Sequence, residues 1–146
     1  MTLAMFALAF SAQAQRLVIG EKAPEVKVSE WLGGRAPGSG ATLVDFFHSS
    51  NPQCVANLDK LNTIAGSYGN RLNVVVLSRE GADKMASVAS GKHYRFFMGE
   101  DDGGKTYNAF SVRFVPFAAL IDARGRLVWT GNVSALTNST IDSALR

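Results

Sequence analysis

Residues 41–54 read ATLVDFFHSSNPQC, and this stretch decides the fold. Its first half, Ala41 to His48, is a short apolar run rich in aromatic and branched residues. Such a run reads as a buried strand, the kind found inside a parallel sheet. The second half changes character. Asn51 suits a helix N-cap, and Pro52 suits the first helical position, where its missing N–H costs nothing. Val55, Leu58, Leu61, Ile64 and Tyr68 then recur at three- and four-residue spacing, which predicts one buried stripe. Gly69 and Asn70 end the helix.

Beyond this unit, Leu72–Leu77 predicts a second strand, Gly81–Ala89 a helix and Tyr94–Met98 a third strand. A Gly- and Asp-rich turn at Gly99–Gly104 leads into a short helix ending near Phe110. Val115–Asp122 and Arg126–Thr130 predict two strands joined as a hairpin by Ala123-Arg-Gly125. A last helix starts at Thr137 or Asn138. Upstream, residues 33–40, GGRAPGSG, form a loop whose Gly and Pro content breaks regular structure. Alternating strands and helices imply a parallel core sheet with helices on both faces, to which the hairpin adds antiparallel strands. The expected architecture is an α/β three-layer sandwich around a mixed sheet. In such sheets ligands and catalysis gather at the carboxyl ends of the parallel strands. Here that place is His48–Cys54.

Composition narrows the function classes. A chain of 146 residues with 47% hydrophobic and 18% charged residues is expected to hold one globular domain. Cys54 is its only cysteine, which excludes an intrachain disulfide. The net charge of +3 comes from scattered residues, among them Arg16, Arg35, Arg71, Arg113, Arg124 and Arg126. No basic stripe is visible, so no nucleic-acid partner is expected. Residues 1–15 carry no charge, Leu3 to Phe10 is apolar, and Ala12-Gln13-Ala14 fits signal-peptidase cleavage. They read as a signal peptide lacking its positive first region, and hence incomplete at its N-terminus. Its cleavage would release a domain over 16–146. The apolar run is far shorter than the roughly 20 residues of a membrane span, so no stable membrane insertion is expected. His48, His93 and Cys54 fit no standard metal-ligand spacing, and neither a metal nor a cofactor is expected. The Asp101-Asp102-Gly-Gly run reads as a solvated turn rather than a calcium loop. Phosphate-binding loops and Ser/His/Asp arrangements are absent.

Around these motifs the chain resembles the thioredoxin superfamily, most closely the exported TlpA-like thiol–disulfide oxidoreductases. The family pattern is an apolar strand containing Val-Asp-Phe, a few residues, then Cys-x-x-Cys opening a helix. The chain offers Val44-Asp45-Phe46 and then Asn51-Pro52-Gln53-Cys54. Phe110-Ser-Val-Arg-Phe-Val-Pro116 resembles the family stretch that ends in a cis-proline facing the active site. Residues 120–125 and 127–131 look like the hairpin after it. Ile19–Pro24 and Trp31–Gly34 fit its first strand. The resemblance implies a thioredoxin-like fold over about residues 17–145. It also implies that Asp45 is the buried acid, Cys54 the second cysteine and Pro116 the cis-proline. The Val115 backbone would then be left free to pair with an extended peptide.

Asn51 stands where the family carries its first cysteine, the nucleophile. Asparagine can cap a helix but cannot attack sulfur. Cys54 falls in the first helical turn, where the helix dipole favours a thiolate, while burial and Asp45 oppose one. Three readings follow. The first is an exported redox-family protein, periplasmic in a bacterium, that lacks dithiol activity. It binds thiol-bearing or extended polypeptides at a groove formed by Asn51, Pro52, Cys54, Val115 and Pro116. The second is an enzyme using Cys54 alone for monothiol exchange or peroxide reduction, with Asp45 as acid or base. The spacing is similar to the Thr-x-x-Cys of peroxiredoxins, with Asn51 in place of the threonine. The third is a structural accessory domain with no active site.

Overall fold

The computed structural model describes residues 16–146; the proposed signal peptide lies outside them. Six strands form one mixed sheet. β1 is Glu30–Trp31, β2 Thr42–Phe46, β3 Asn73–Ser78, β4 Phe97–Glu100, β5 Phe117–Ile121 and β6 Leu127–Gly131, in the spatial order β1-β4-β3-β2-β5-β6. The three inner strands β2, β3 and β4 are parallel, while β5, β6 and β1 pair antiparallel at the two sides. Helix α1 is Pro52–Tyr68, α2 Ala82–Ala89, α3 Lys105–Ala109 and α4 Asn138–Ala144. β2 is therefore the switch point. The chain leaves it through α1 towards β3 on one side, and β5 lies against its other side.

The period of two along β2 sorts the layers. Leu43 faces a core shared with α1, α2 and α4, where Leu58, Leu61, Met85 and Ile141 are buried. Val44 and Phe46 face the opposite core, with Tyr107 and Phe110 from the α3 region and Leu127 from β6. Helices thus cover both faces of a mixed sheet, the expected α/β sandwich. Asp45 shares the α1 side with Leu43 and Phe47 and is fully buried.

α1 begins and ends as its residues dictate. Asn51 caps it, Pro52 sits in its first turn, and the chain leaves through Gly69 at φ +56°. Its buried stripe differs at one position from the expected one. Cys54 rather than Val55 takes the inward place, followed by Leu58, Leu61, Ile64 and Tyr68, and Val55 remains 47% exposed. Adjacent helical residues point about 100° apart, so only one of the two can face the sheet.

Other boundaries shift for tertiary reasons. β4 begins at Phe97 instead of Tyr94. The preceding segment is held elsewhere, with Tyr94 stacked on Phe96 and Arg95 N–H donating to Asn62 Oδ1 at 2.8 Å. Gly99 and Glu100 belong to β4 instead of the turn. β1 crosses so closely that a Cβ on Gly99 would lie 2.6 Å from Val28 Cγ1. Asp101 is buried, contrary to a solvated turn, because its Oδ2 accepts from the Tyr107 N–H at 2.8 Å. The residues expected as one first strand divide. Lys22 bridges Arg126, Glu30–Trp31 pairs with β4, and Leu32–Gly34 is a 3₁₀ turn. β5 starts at Phe117, after a cis Val115–Pro116 bond.

Candidate functional site

The site lies where β2 and β3 end, against the turn that precedes β5. Tyr107 holds this edge together. Its hydroxyl accepts from the Phe47 N–H at 3.1 Å and stands 2.9 Å from the Phe47 carbonyl and 2.7 Å from that of Leu77. One buried hydroxyl thus ties the carboxyl ends of two parallel strands.

Asn51 is the next joint. Its Oδ1 accepts the N–H groups of Gln53 and Cys54 at 2.9 and 3.1 Å, satisfying two of the donors that every helix start leaves open. Its Nδ2 donates to the Val115 carbonyl at 3.1 Å. The expectation of a free Val115 backbone is corrected by this bond, since the carbonyl is already engaged. Asn51 thus links Cys54 to Val115, Pro116 follows Val115 through a cis bond, and Pro52 is exposed at the helix start.

Cys54 is completely buried. Burial pushes its thiol up, and the nearby Asp45 and Glu80 charges add to this, outweighing a hydrogen bond from the His48 backbone. Asp45 is equally enclosed. Neither of its oxygens has a protein hydrogen-bond partner, and desolvation holds its carboxyl well above the usual carboxylate range. The site pairs a protonated thiol with a reluctant acid.

Several site residues are invisible to motif reading. Glu80, just past the end of β3, accepts from Ser49 N–H at 2.8 Å and Ser49 Oγ at 2.6 Å, with His48 Nε2 at 3.5 Å. Burial raises this carboxyl, but the Ser49 bonds, His48 and Lys84 outweigh it and hold it below the ordinary value. The signal that could have found Glu80 is its place at the carboxyl end of a parallel strand. Ser50 Oγ lies 2.8 Å from His48 Nδ1, so Ser50, His48 and Glu80 stand in series. It lacks the donors an acyl-transfer site needs, because Asn51 already occupies the amides of Gln53 and Cys54 and the Ser50 N–H also points to His48 Nδ1. Among the described residues no three His, Cys, Asp or Glu side chains cluster to hold a metal ion. No described helix is long and apolar enough to cross a membrane.

No family model and no curated protein matches the sequence. Solved structures do resemble it. A Chlorobium tepidum protein named for thiol:disulfide interchange, DsbE, matches with a TM-score of 0.78 and 20% identity, over 90% of this chain and 100% of that one. A secreted Mycobacterium tuberculosis disulfide oxidoreductase, homologous to E. coli DsbE, matches at 0.59 and 18%, over 73% and 80%. Peroxidoxin BcpB from the same organism matches at 0.69 and 16%, over 89% and 95%. The fold is therefore thioredoxin-like, and its structural neighbours include thiol–disulfide oxidoreductases.

Two measurements test the geometry. Cys54 should react with a thiol reagent at least about a hundredfold more slowly in the native protein than in denaturant. Opening a core position costs several kcal/mol, and each ~1.4 kcal/mol is tenfold. Fast native labelling would show an accessible thiol. Asp45 sets a pH dependence. The unfolded chain loses this proton near pH ~3.9, whereas the folded chain keeps it to higher pH. Stability is therefore greatest below the unfolded value and falls as pH rises towards the folded one. Asp45→Asn should stabilise the protein at pH 7, with the gain closing towards pH 4 in denaturant titrations. A loss at pH 7 would mean that Asp45 is a paired structural anion.

Proposed function

We propose that this is an exported thioredoxin-fold protein of the thiol–disulfide oxidoreductase type that has lost dithiol chemistry and binds polypeptides. The observation that carries the reading is Asn51. It occupies the nucleophile's place and uses its side chain to fasten α1 to the turn at Val115. A cysteine there would present a thiolate to a substrate disulfide, and Cys54 would resolve the mixed disulfide. With Asn51 in place no sulfur is exposed to begin the exchange, since Cys54 is fully enclosed. The single-cysteine enzyme reading is disfavoured by the same burial.

Support for binding comes from the surface beside the site. Phe114 is 75% exposed and Val55 47%, the two largest exposures of bulky apolar side chains there. Exposed apolar groups of this kind mark interaction surfaces when they cluster at a groove. On this reading an extended polypeptide, with or without a thiol, lies along the surface between Pro52 at the start of α1 and Pro116 before β5. Export rests on the uncharged apolar run and Ala12-Gln13-Ala14.

The unmodified protein should not accelerate insulin reduction by dithiothreitol. Asn51→Cys, which rebuilds Cys-x-x-Cys with Asp45 and Pro116 already in place, should accelerate it above the uncatalysed rate. Turnover by the unmodified protein would overturn the reading. Protein recovered from its native host should begin near Gln15 or Arg16 by N-terminal sequencing. An intact Met1 in the cytosol would end the export proposal.

A further inference from the structure

Next to the groove, at the carboxyl ends of β2 and β3, a cleft of about 380 Å³ opens between His48, Arg79, Glu80, Arg113 and Phe114. Its charges are unevenly matched. Among the described residues the one ion pair is His48 with Glu80. Arg79 and Arg113 line the same cleft, yet neither has a carboxylate within 4 Å. Glu80 is bonded instead to Ser49 and His48. Two arginines thus line a cavity whose single lining carboxylate pairs with neither.

Arg79 is also held in place. Its Cζ lies 5.2 Å from the centre of the Tyr107 ring, within the range of a cation–π contact. On its other side is Gly104 at φ +69°, where a Cβ would approach Arg79 Cζ to 3.0 Å. A side chain at 104 would push the guanidinium away, so glycine there keeps the seat open. An arginine fixed before its ligand arrives loses less side-chain entropy on binding. Phe114 stands at the rim as an apolar neighbour.

Resting on the polypeptide-binding reading, we propose that the partner is an acidic segment. One of its Asp or Glu side chains enters this cleft between Arg79 and Arg113 while an adjacent apolar residue packs on Phe114. Guanidinium groups receive carboxylates by paired, charge-assisted hydrogen bonds, which suits a planar acid more than a phosphate-free neutral chain. The proposal names the chemistry of the occupant, and the groove reading by itself does not.

The test uses the full chain and three fluorescent ten-residue peptides that differ only at a central pair: Glu-Glu, Gln-Gln or Lys-Lys, flanked by Leu. In low salt the Glu-Glu peptide should bind at least about fivefold tighter than Gln-Gln by fluorescence anisotropy, and the difference should shrink as salt is added. Arg113→Glu, at an exposed position that leaves the core untouched, should reverse the order and favour Lys-Lys. Phe114→Ser should weaken all three alike. Equal binding of the three peptides to the unmodified protein would overturn the acidic preference and leave the polypeptide-binding reading standing. Binding of none would overturn both.

Discussion

Asn51 spends its whole amide on backbone. The oxygen takes the N–H groups of Gln53 and Cys54, and the nitrogen reaches across to the Val115 carbonyl. These three bonds fix the start of α1 relative to the turn before β5, two elements far apart in sequence. A helix N-terminus needs its open donors satisfied, and a buried carbonyl needs a donor; one planar side chain does both. A cysteine would make these bonds less well, because its thiol is a weak donor and a weak acceptor. The side chain at position 51 therefore joins the start of α1 to the turn before β5.

One layer down lies an electrostatic cost. Asp45 lies on the α1 face of β2, fully buried and without a protein partner for either oxygen, beside a thiol that is equally enclosed. An unpaired buried acid opposes folding at neutral pH, so a core selected for stability alone would hold an apolar residue there. Its neighbours Leu43, Val44 and Phe46 follow the ordinary rules for a central strand. Violations of local rules concentrate at functional positions, and Asp45 is such a violation. The cost falls on a strand otherwise secured by β3 and β5 on its two sides.

What the sequence revealed and what it hid divide along the range of the forces involved. Asn51, Pro52 and Gly69 announce α1 because capping and φ preferences act within a few residues. The β2–α1–β3 order was legible from apolar patterning for the same reason. Val55 was misplaced because a two-residue ambiguity at a helix start is settled only by what faces the sheet. β4 slid because Val28 and Trp31, seventy residues away, press onto Gly99. Asp101 looked solvated until α3 returned to place the Tyr107 N–H on it. Glu80 and Tyr107 belong to no motif, and their roles depend on strand ends that only the folded sheet brings together. The Ser50–His48 contact is local, but Glu80, the third member of that series, is not.

Charge follows the same logic. Along the chain the arginines are dispersed, and no stripe suggests a polyanion. In the fold, Arg79 from the end of β3 and Arg113 from the turn before Pro116 come to one cleft, because both lie at the same edge of the sheet. The one carboxylate in the cleft lining, Glu80, takes two bonds from Ser49, just beyond the end of β2. Were Glu80 paired with one of these arginines, only the other would be left for an incoming anion. Because Glu80 is bonded to Ser49 and His48 instead, neither guanidinium has a carboxylate partner. A dispersed basic composition thus becomes a local cationic seat through the topology of β2 and β3, at the edge where this fold places its ligands.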